Sequence, residues 1–154
     1  MSVYSQSPVV FGGVSGVTGT RGSHDPEIGS RVNFGGNEYV YVYNAGNSQI
    51  SPGYAAVPAS GCTSPYSCTV SSTAGQNLAV GLCKNATLTT GTYGYLLYRG
   101  VGKATASATV AAGDNVCLGV DGALASAVTY PGIAKFISAT VTGASGGVVF
   151  SASF

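Results

Sequence analysis

The segment NEYVYVYN, residues 37–44, is the clearest strand signal in this chain and points to its fold class. Tyr39, Tyr41 and Tyr43 alternate with other residues, so an extended backbone places all three rings on one face. The strip they form is flat and amphipathic, and its hydroxyl groups need water or a hydrogen-bonding neighbour. Such a strip suits contact with another protein, and a sheet face covered by the chain's own loops is the alternative.

Short apolar segments recur along the rest of the chain at intervals of about ten residues, with turn-forming clusters between them. The clusters are TTGT, YRG, AAGDN, VDG and TGASGG. Further strands are predicted at about 54–57, 67–72, 77–83, 93–98, 101–110, 115–120, 123–128, 133–141 and 147–154. The last one places Val148, Phe150, Ala152 and Phe154 on one face. We therefore predict an all-β fold, an antiparallel β-sandwich or barrel that is jelly-roll-like.

Residues 1–36 differ from the rest of the chain. Within them, the segment GVSGVTGTRG, residues 13–22, has a glycine at every third position. This glycine density is too high for a stable helix, and the repeat is too short for collagen. We predict an extended N-terminal arm over residues 1–36 and a single β domain over residues 37–154. The arm needs a partner surface to become ordered, because termini with little burial fray. Its predicted contact residues are Val3, Tyr4, Val9, Val10 and Phe11. The alternative is that this segment supplies a first strand of the same domain.

The composition favours a chain that works inside an assembly. Only 7% of the 154 residues are charged, while 45% are hydrophobic and 24 are glycine. An ordinary soluble domain carries roughly a quarter charged residues, so this surface does not rely on charge to stay dispersed. The formal net charge of +1 is too small to gather phosphates, so nucleic acid is not a predicted partner.

Neither a membrane nor secretion is predicted. No uninterrupted apolar run reaches the roughly 18 residues that a membrane-spanning helix needs. The N-terminal sequence MSVYSQSPVVFGG lacks the basic residues and the long apolar stretch of a secretory signal. We therefore expect synthesis in a cytosol.

No motif predicts catalysis or a cofactor. Ser23-His24-Asp25 names the residues of a hydrolase triad, but consecutive residues cannot align a nucleophile, a base and an acid. The segment RGVGKAT lacks the first glycine of a phosphate loop and its Ser or Thr. The five carboxylates are scattered, and Asp114 and Asp121 fall in turns where Asp supports the backbone. We predict a protein that is not an enzyme and binds no metal or cofactor.

The four cysteines do not show the close pairing typical of a zinc site. Cys83 and Cys117 lie in apolar segments and are predicted to be buried free thiols. Cys62 and Cys68 bracket a loop that contains proline and could close a small disulfide under oxidising conditions. The sequence leaves that pairing open.

Residues 75–126 resemble a pattern found in capsid decoration, or cement, proteins of tailed bacteriophages. The pattern is an apolar strand, the element GTYGYLLYRG, a strand of small residues, then a GD turn and a DG turn. The resemblance implies a non-enzymatic virion protein on the outer surface of an icosahedral capsid. It also implies a homo-oligomer, with a trimer favoured over a dimer, that bridges neighbouring major capsid proteins. On this reading the arm and the strip of Tyr39, Tyr41 and Tyr43 contact the capsid or a sister subunit.

Two alternatives share the same features. Glycine-rich β segments also occur in tail and fibre subunits of phages, so a tail or fibre location stays open. The second alternative is a carbohydrate-binding β-sandwich, in which some of Tyr39, Tyr41, Tyr93 and Tyr95 stack on sugar rings.

Overall fold

A computed structural model describes residues 20–21, 26–71, 78–126 and 132–153, and the chain is almost entirely β within them. The strands are β1 (Thr20–Arg21), β2 (Arg31–Phe34), β3 (Asn37–Asn44), β4 (Ala55–Pro58), β5 (Ser67–Val70), β6 (Gly81–Leu82), β7 (Tyr93–Thr105), β8 (Asn115–Leu118), β9 (Leu124–Ser126), β10 (Ala134–Phe136) and β11 (Ser145–Ser151). A 3₁₀ turn, Val120–Gly122, lies between β8 and β9. The prediction of an all-β, mainly antiparallel sandwich or barrel is confirmed.

The first half of the sheet closes on itself. β3 pairs antiparallel with β7 and parallel with β5, and the sheet continues from β5 through β4 and β6 back to β7. β2 extends this ring along the first half of β3. Ring closure satisfies strand edges that would otherwise be open to pairing with other chains.

A second ring shares β7 with the first. It runs from β7 through β11, β10 and β8 to β9. A single parallel bridge between Leu124 and Ala106, the residue after β7, closes it. One hydrophobic core cluster contains residues of both rings, including Val40 and Leu96 from the first and Leu118, Phe136 and Phe150 from the second.

The long strand β7 corrects one sequence prediction. Two strands, 93–98 and 101–110, were predicted with a YRG turn between them, but residues 93–105 form one strand of 13 residues. The β3 partners of β7 change register here, from Leu97 opposite Tyr39 to Arg99 opposite Glu38. Such a bulge bends a strand without ending it, so β7 can serve both rings.

The same kind of turn precedes five strands in the described part of the chain. It occupies residues 27–30, 51–54, 89–92, 111–114 and 141–144, before β2, β4, β7, β8 and β11. In each turn the fourth N–H donates to the first carbonyl at 3.0–3.3 Å, and the third residue is a glycine with φ between +75° and +92°. A type II turn requires this φ at its third position. The predicted turn clusters TTGT, AAGDN and TGASGG coincide with three of these turns.

The N-terminal part of the chain is described only in pieces. β2 lies within the predicted arm 1–36 but pairs with β3, and β1 pairs with β7. Residues 31–34 therefore belong to the sheet. Residues 1–19 lie outside the described part of the chain, and so do His24 and Phe154. The division into an arm and a β domain, with the contacts of the arm residues, stays a prediction.

Candidate interaction surfaces

Four tyrosines come together on one face of the β3–β7 pair. Tyr41 lies opposite Tyr95 and Tyr43 lies opposite Tyr93, so the two strands bring four rings into adjacent positions. The ring centroids of Tyr41 and Tyr95 are 4.9 Å apart, and those of Tyr43 and Tyr93 are 4.8 Å apart. Tyr41 also stacks on Tyr93 at 5.9 Å with an interplanar angle of 17°. We call these four residues the tyrosine cluster; its ring contacts stabilise the β3–β7 pairing.

Burial corrects part of the predicted contact strip. Tyr39 joins the hydrophobic core, with the ammonium group of Lys84 5.9 Å from its ring centroid, and Tyr41 is 0% exposed. Both faces of β3 are covered at these two residues. The side chains of Tyr39 and Tyr41 are therefore not accessible to a partner in the folded chain. Tyr43 is half-buried, and its contact with a partner stays a prediction.

A groove of about 320 Å³ opens beside the exposed end of the tyrosine cluster. Its described lining consists of Glu27, Ile28, Tyr43, Ser67 and Tyr93. Two rings, a carboxylate and a hydroxyl are groups that can hold a small polar ligand by stacking and hydrogen bonding. The carbohydrate-binding alternative stays a prediction, with Tyr43 and Tyr93 better placed for it than the buried Tyr39 and Tyr41.

A second surface was not recognised from the sequence. Val101 of β7 lies opposite Val149 of β11, and Val149 in turn lies opposite Lys135 of β10. The two valines are each 52% exposed, and Ile137, just after β10, is 58% exposed. Ile137 lies across Gly147, where an added Cβ would be 3.6 Å from its Cδ1 atom. Because glycine has no side chain, the isoleucine and the two valines form one continuous apolar patch.

Cations surround this patch. Arg99 and Lys103 stand two residues before and after Val101 on β7, and all three side chains are exposed. Since alternate residues of a strand share a face, Arg99 and Lys103 leave the backbone on the same side as Val101. The Arg99 guanidinium also lies 5.5 Å from the ring centroid of Tyr98. We call this surface the docking face; it consists of Arg99, Val101, Lys103, Lys135, Ile137 and Val149. A shallow depression of about 180 Å³ lies at its edge, beside Lys135 and Val149.

The alternation that builds the docking face was visible but ambiguous in the sequence. Val149 stands between two core residues, Val148 and Phe150. Alternation puts Val149 on the face opposite Val148 and Phe150, but in a segment of apolar and small residues nothing local shows which face is exposed. Only the pairing with β7 and β10 places Val149 beside Val101.

Two of the described acidic residues, Asp114 and Glu38, bind the backbone or another side chain. The Asp114 carboxylate accepts a hydrogen bond from the Ala111 N–H at 3.0 Å, which confirms its predicted turn role. Asp121 adopts φ +60° in the 3₁₀ turn, and Glu38 lies 3.5 Å from Arg31. Within the described residues no group of three His, Cys, Asp or Glu side chains converges on a potential metal position. No helix in the described ranges has the length and apolar character to cross a membrane.

The cysteines divide into one exposed and three buried thiols, all free. Burial raises the pKa of Cys68 above its usual range, that of Cys83 to about 12, and that of Cys117 in the same direction. The single S–H of Cys83 also lies within hydrogen-bonding distance of two carbonyl oxygens, those of Ala86 at 3.1 Å and Ile50 at 3.4 Å. Buried placement of Cys83 and Cys117 was predicted and is confirmed.

This division predicts how the thiols react. At about pH 8, where thiolate is the reactive form, a maleimide reagent should label one thiol per native chain and four after unfolding. Mass spectrometry of the labelled protein measures the number. Cys62→Ser is the control and should leave the native chain unlabelled. Rapid labelling of Cys68 or Cys83 in native protein would contradict the burial.

The described residues form a small β protein built from two strand rings that share one long strand. Neither a family model nor a curated protein matches the chain in sequence. Among solved structures, the chain is similar in fold to the N base of head fibre gp8.5 from bacteriophage phi29, with a TM-score of 0.56. The match covers 73% of this chain and 92% of that chain at 13% sequence identity. At this identity the likeness concerns the fold.

Proposed function

We propose that this chain is a structural protein of a bacteriophage virion, made in the host cytoplasm and attached to the outer surface of the icosahedral head. Its role is to decorate the capsid and to cement it by bridging major capsid proteins. It forms a homo-oligomer, with a trimer favoured, and it carries out no reaction. Neither nucleic acid nor a membrane is a partner.

The observation that carries this proposal is the similarity in fold to the base of a phage head fibre. The structural match covers nearly all of that base. Two features of this chain support it. The chain is poor in charge, since only 7% of its residues are Asp, Glu, Lys or Arg. The docking face combines an apolar centre with a polar rim, which is the usual anatomy of a protein–protein interface.

A second candidate is the base of a fibre that projects from the head, because the structural neighbour is described as such a base. Decoration and fibre bases both require attachment to the capsid, but a fibre base also carries a distal segment or partner. The two candidates therefore differ in whether density projects outward from the attached domain.

Localisation on purified virions tests the proposal. Immunogold electron microscopy with an antibody against this chain should place the label on the head of virions from a culture that produces it. Virions from a culture in which the coding sequence is deleted are the control. Label on the tail, or protein found only free of particles, would overturn the capsid assignment. A cryo-electron microscopy map of the same heads separates a compact decoration from a projecting fibre.

A further inference from the structure

We infer that the docking face binds a protein surface with an apolar centre and carboxylates around it. This inference rests on the proposed function, since it names the chemistry that the capsid protein must present. The apolar part is the first reason. Three aliphatic side chains, Val101 of β7, Val149 of β11 and Ile137 just after β10, are each more than half exposed and lie side by side. Covering such a patch with a complementary apolar surface removes it from water.

The distribution of charge is the second reason. Arg99, Lys103 and Lys135 are half of the chain's six Lys and Arg residues, and they surround this patch. Within the described part of the chain, Lys103 and Lys135 form no ion pair. A partner with carboxylates at the matching positions gains attraction and correct orientation at once.

The neighbouring carboxylates do not neutralise this rim. Glu38 lies opposite Arg99 in the β3–β7 register, but it pairs with Arg31 at 3.5 Å. Asp114 precedes Asn115, the β8 partner of Lys135, but its carboxylate is held within its own turn by the Ala111 N–H, and in the described residues it forms no ion pair with Lys135. The docking face therefore stays cationic at its edge.

The same charges disfavour a twofold contact between two copies of this chain through the docking face. A twofold contact through one face brings that face against itself, so the cations of one copy would meet those of the other. Like charges at an interface oppose binding. Nucleic acid fits poorly as well, because phosphates gain nothing from an apolar centre. An acidic protein surface satisfies both parts of the face.

Binding to purified capsids tests the inference, with the full chain and two double variants. Lys103→Gln with Lys135→Gln should weaken binding about tenfold at about 0.05 M NaCl and less at about 0.5 M, because salt screens exposed charges. Val101→Ser with Val149→Ser should weaken binding about 30-fold at either salt concentration, since it removes apolar contact. Cosedimentation with capsids that lack the protein measures each Kd.

Control variants make comparable changes elsewhere on the surface. Asn47→Asp with Gln49→Glu produces the same change in net charge on an exposed loop, and Val120→Ser removes an exposed valine from the 3₁₀ turn. Both controls should bind like the original chain. Thermal melting of every variant verifies that the fold is retained.

The outcomes separate the inference from the proposed function. If the unchanged chain does not bind capsids, the proposed function fails. If it binds and the docking-face variants bind equally well, the inference fails while the function stands. If light scattering shows that the docking-face variants lose self-association instead, a second copy is the occupant and the inference is overturned.

Discussion

Replacing Phe150 by alanine is expected to lower the free energy of unfolding by about 4 kcal/mol. Phe150 lies in β11 with its side chain 1% exposed and belongs to the core cluster. Its strand partners are Gly100 of β7 and Ala134 of β10. Because neither neighbour has a bulky side chain that could fill the space, the substitution leaves a cavity, and cavities in close-packed cores are costly. Chemical denaturation followed by circular dichroism measures the change.

The adjacent residue offers a matched control. Val149→Ala changes the same strand one position earlier, but this side chain is 52% exposed. Its expected cost is within about 0.5 kcal/mol, as for most surface substitutions. Equal losses for the two variants would show that the inward and outward faces of β11 are wrongly assigned. That result would also remove Val149 from the docking face.

Replacing Gly122 by alanine is expected to cost about 3 kcal/mol, through two effects that act together. Gly122 has φ +83°, a conformation that costs residues with a Cβ about 1 kcal/mol or more. In addition, a Cβ at this position would collide with the backbone carbonyl oxygen of Ala55. The β4 backbone cannot move away without a loss of stability, because Ala55 pairs with Leu82 in the β4–β6 ladder.

Gly113→Ala separates the two effects. Gly113 has φ +84°, nearly identical to that of Gly122, yet a Cβ there would meet no atom within 4 Å. Only the conformational cost of about 1 kcal/mol is expected. The difference between the two variants, measured by thermal and chemical denaturation, therefore reports the close approach of the 3₁₀ turn to β4. If the two variants lose the same stability, that close approach does not exist.

Several elements were predictable because their signals are local. Residues 37–44 form β3 as predicted, since strict alternation has only one explanation in an extended chain. Turn clusters such as TTGT and AAGDN were recognised because glycine at the third turn position meets a backbone requirement. The turn predicted at the YRG cluster was wrong, because a glycine inside a strand can equally mark a bulge.

The functional surfaces were less predictable because they depend on pairing between distant segments. The sequence places Tyr39, Tyr41 and Tyr43 on one face, and it leaves open whether they form a contact strip or a face covered by the chain's own loops. The fold covers Tyr39 and Tyr41 and adds Tyr93 and Tyr95 from β7 to build the tyrosine cluster. Solvent exposure of a strand face depends on what covers it, and that covering comes from elsewhere in the chain.

The sequence by itself determined that this chain is β-rich, poorly charged and punctuated by glycine turns, because alternation and turn chemistry are encoded within a few residues. Tertiary structure alone decided that β7 serves two rings and that Val101, Val149 and Lys135 form one row. The physical reason is that strand register is a long-range property, because the packing of the whole core determines which strands pair. Outward-facing residues form one surface only when their strands are aligned.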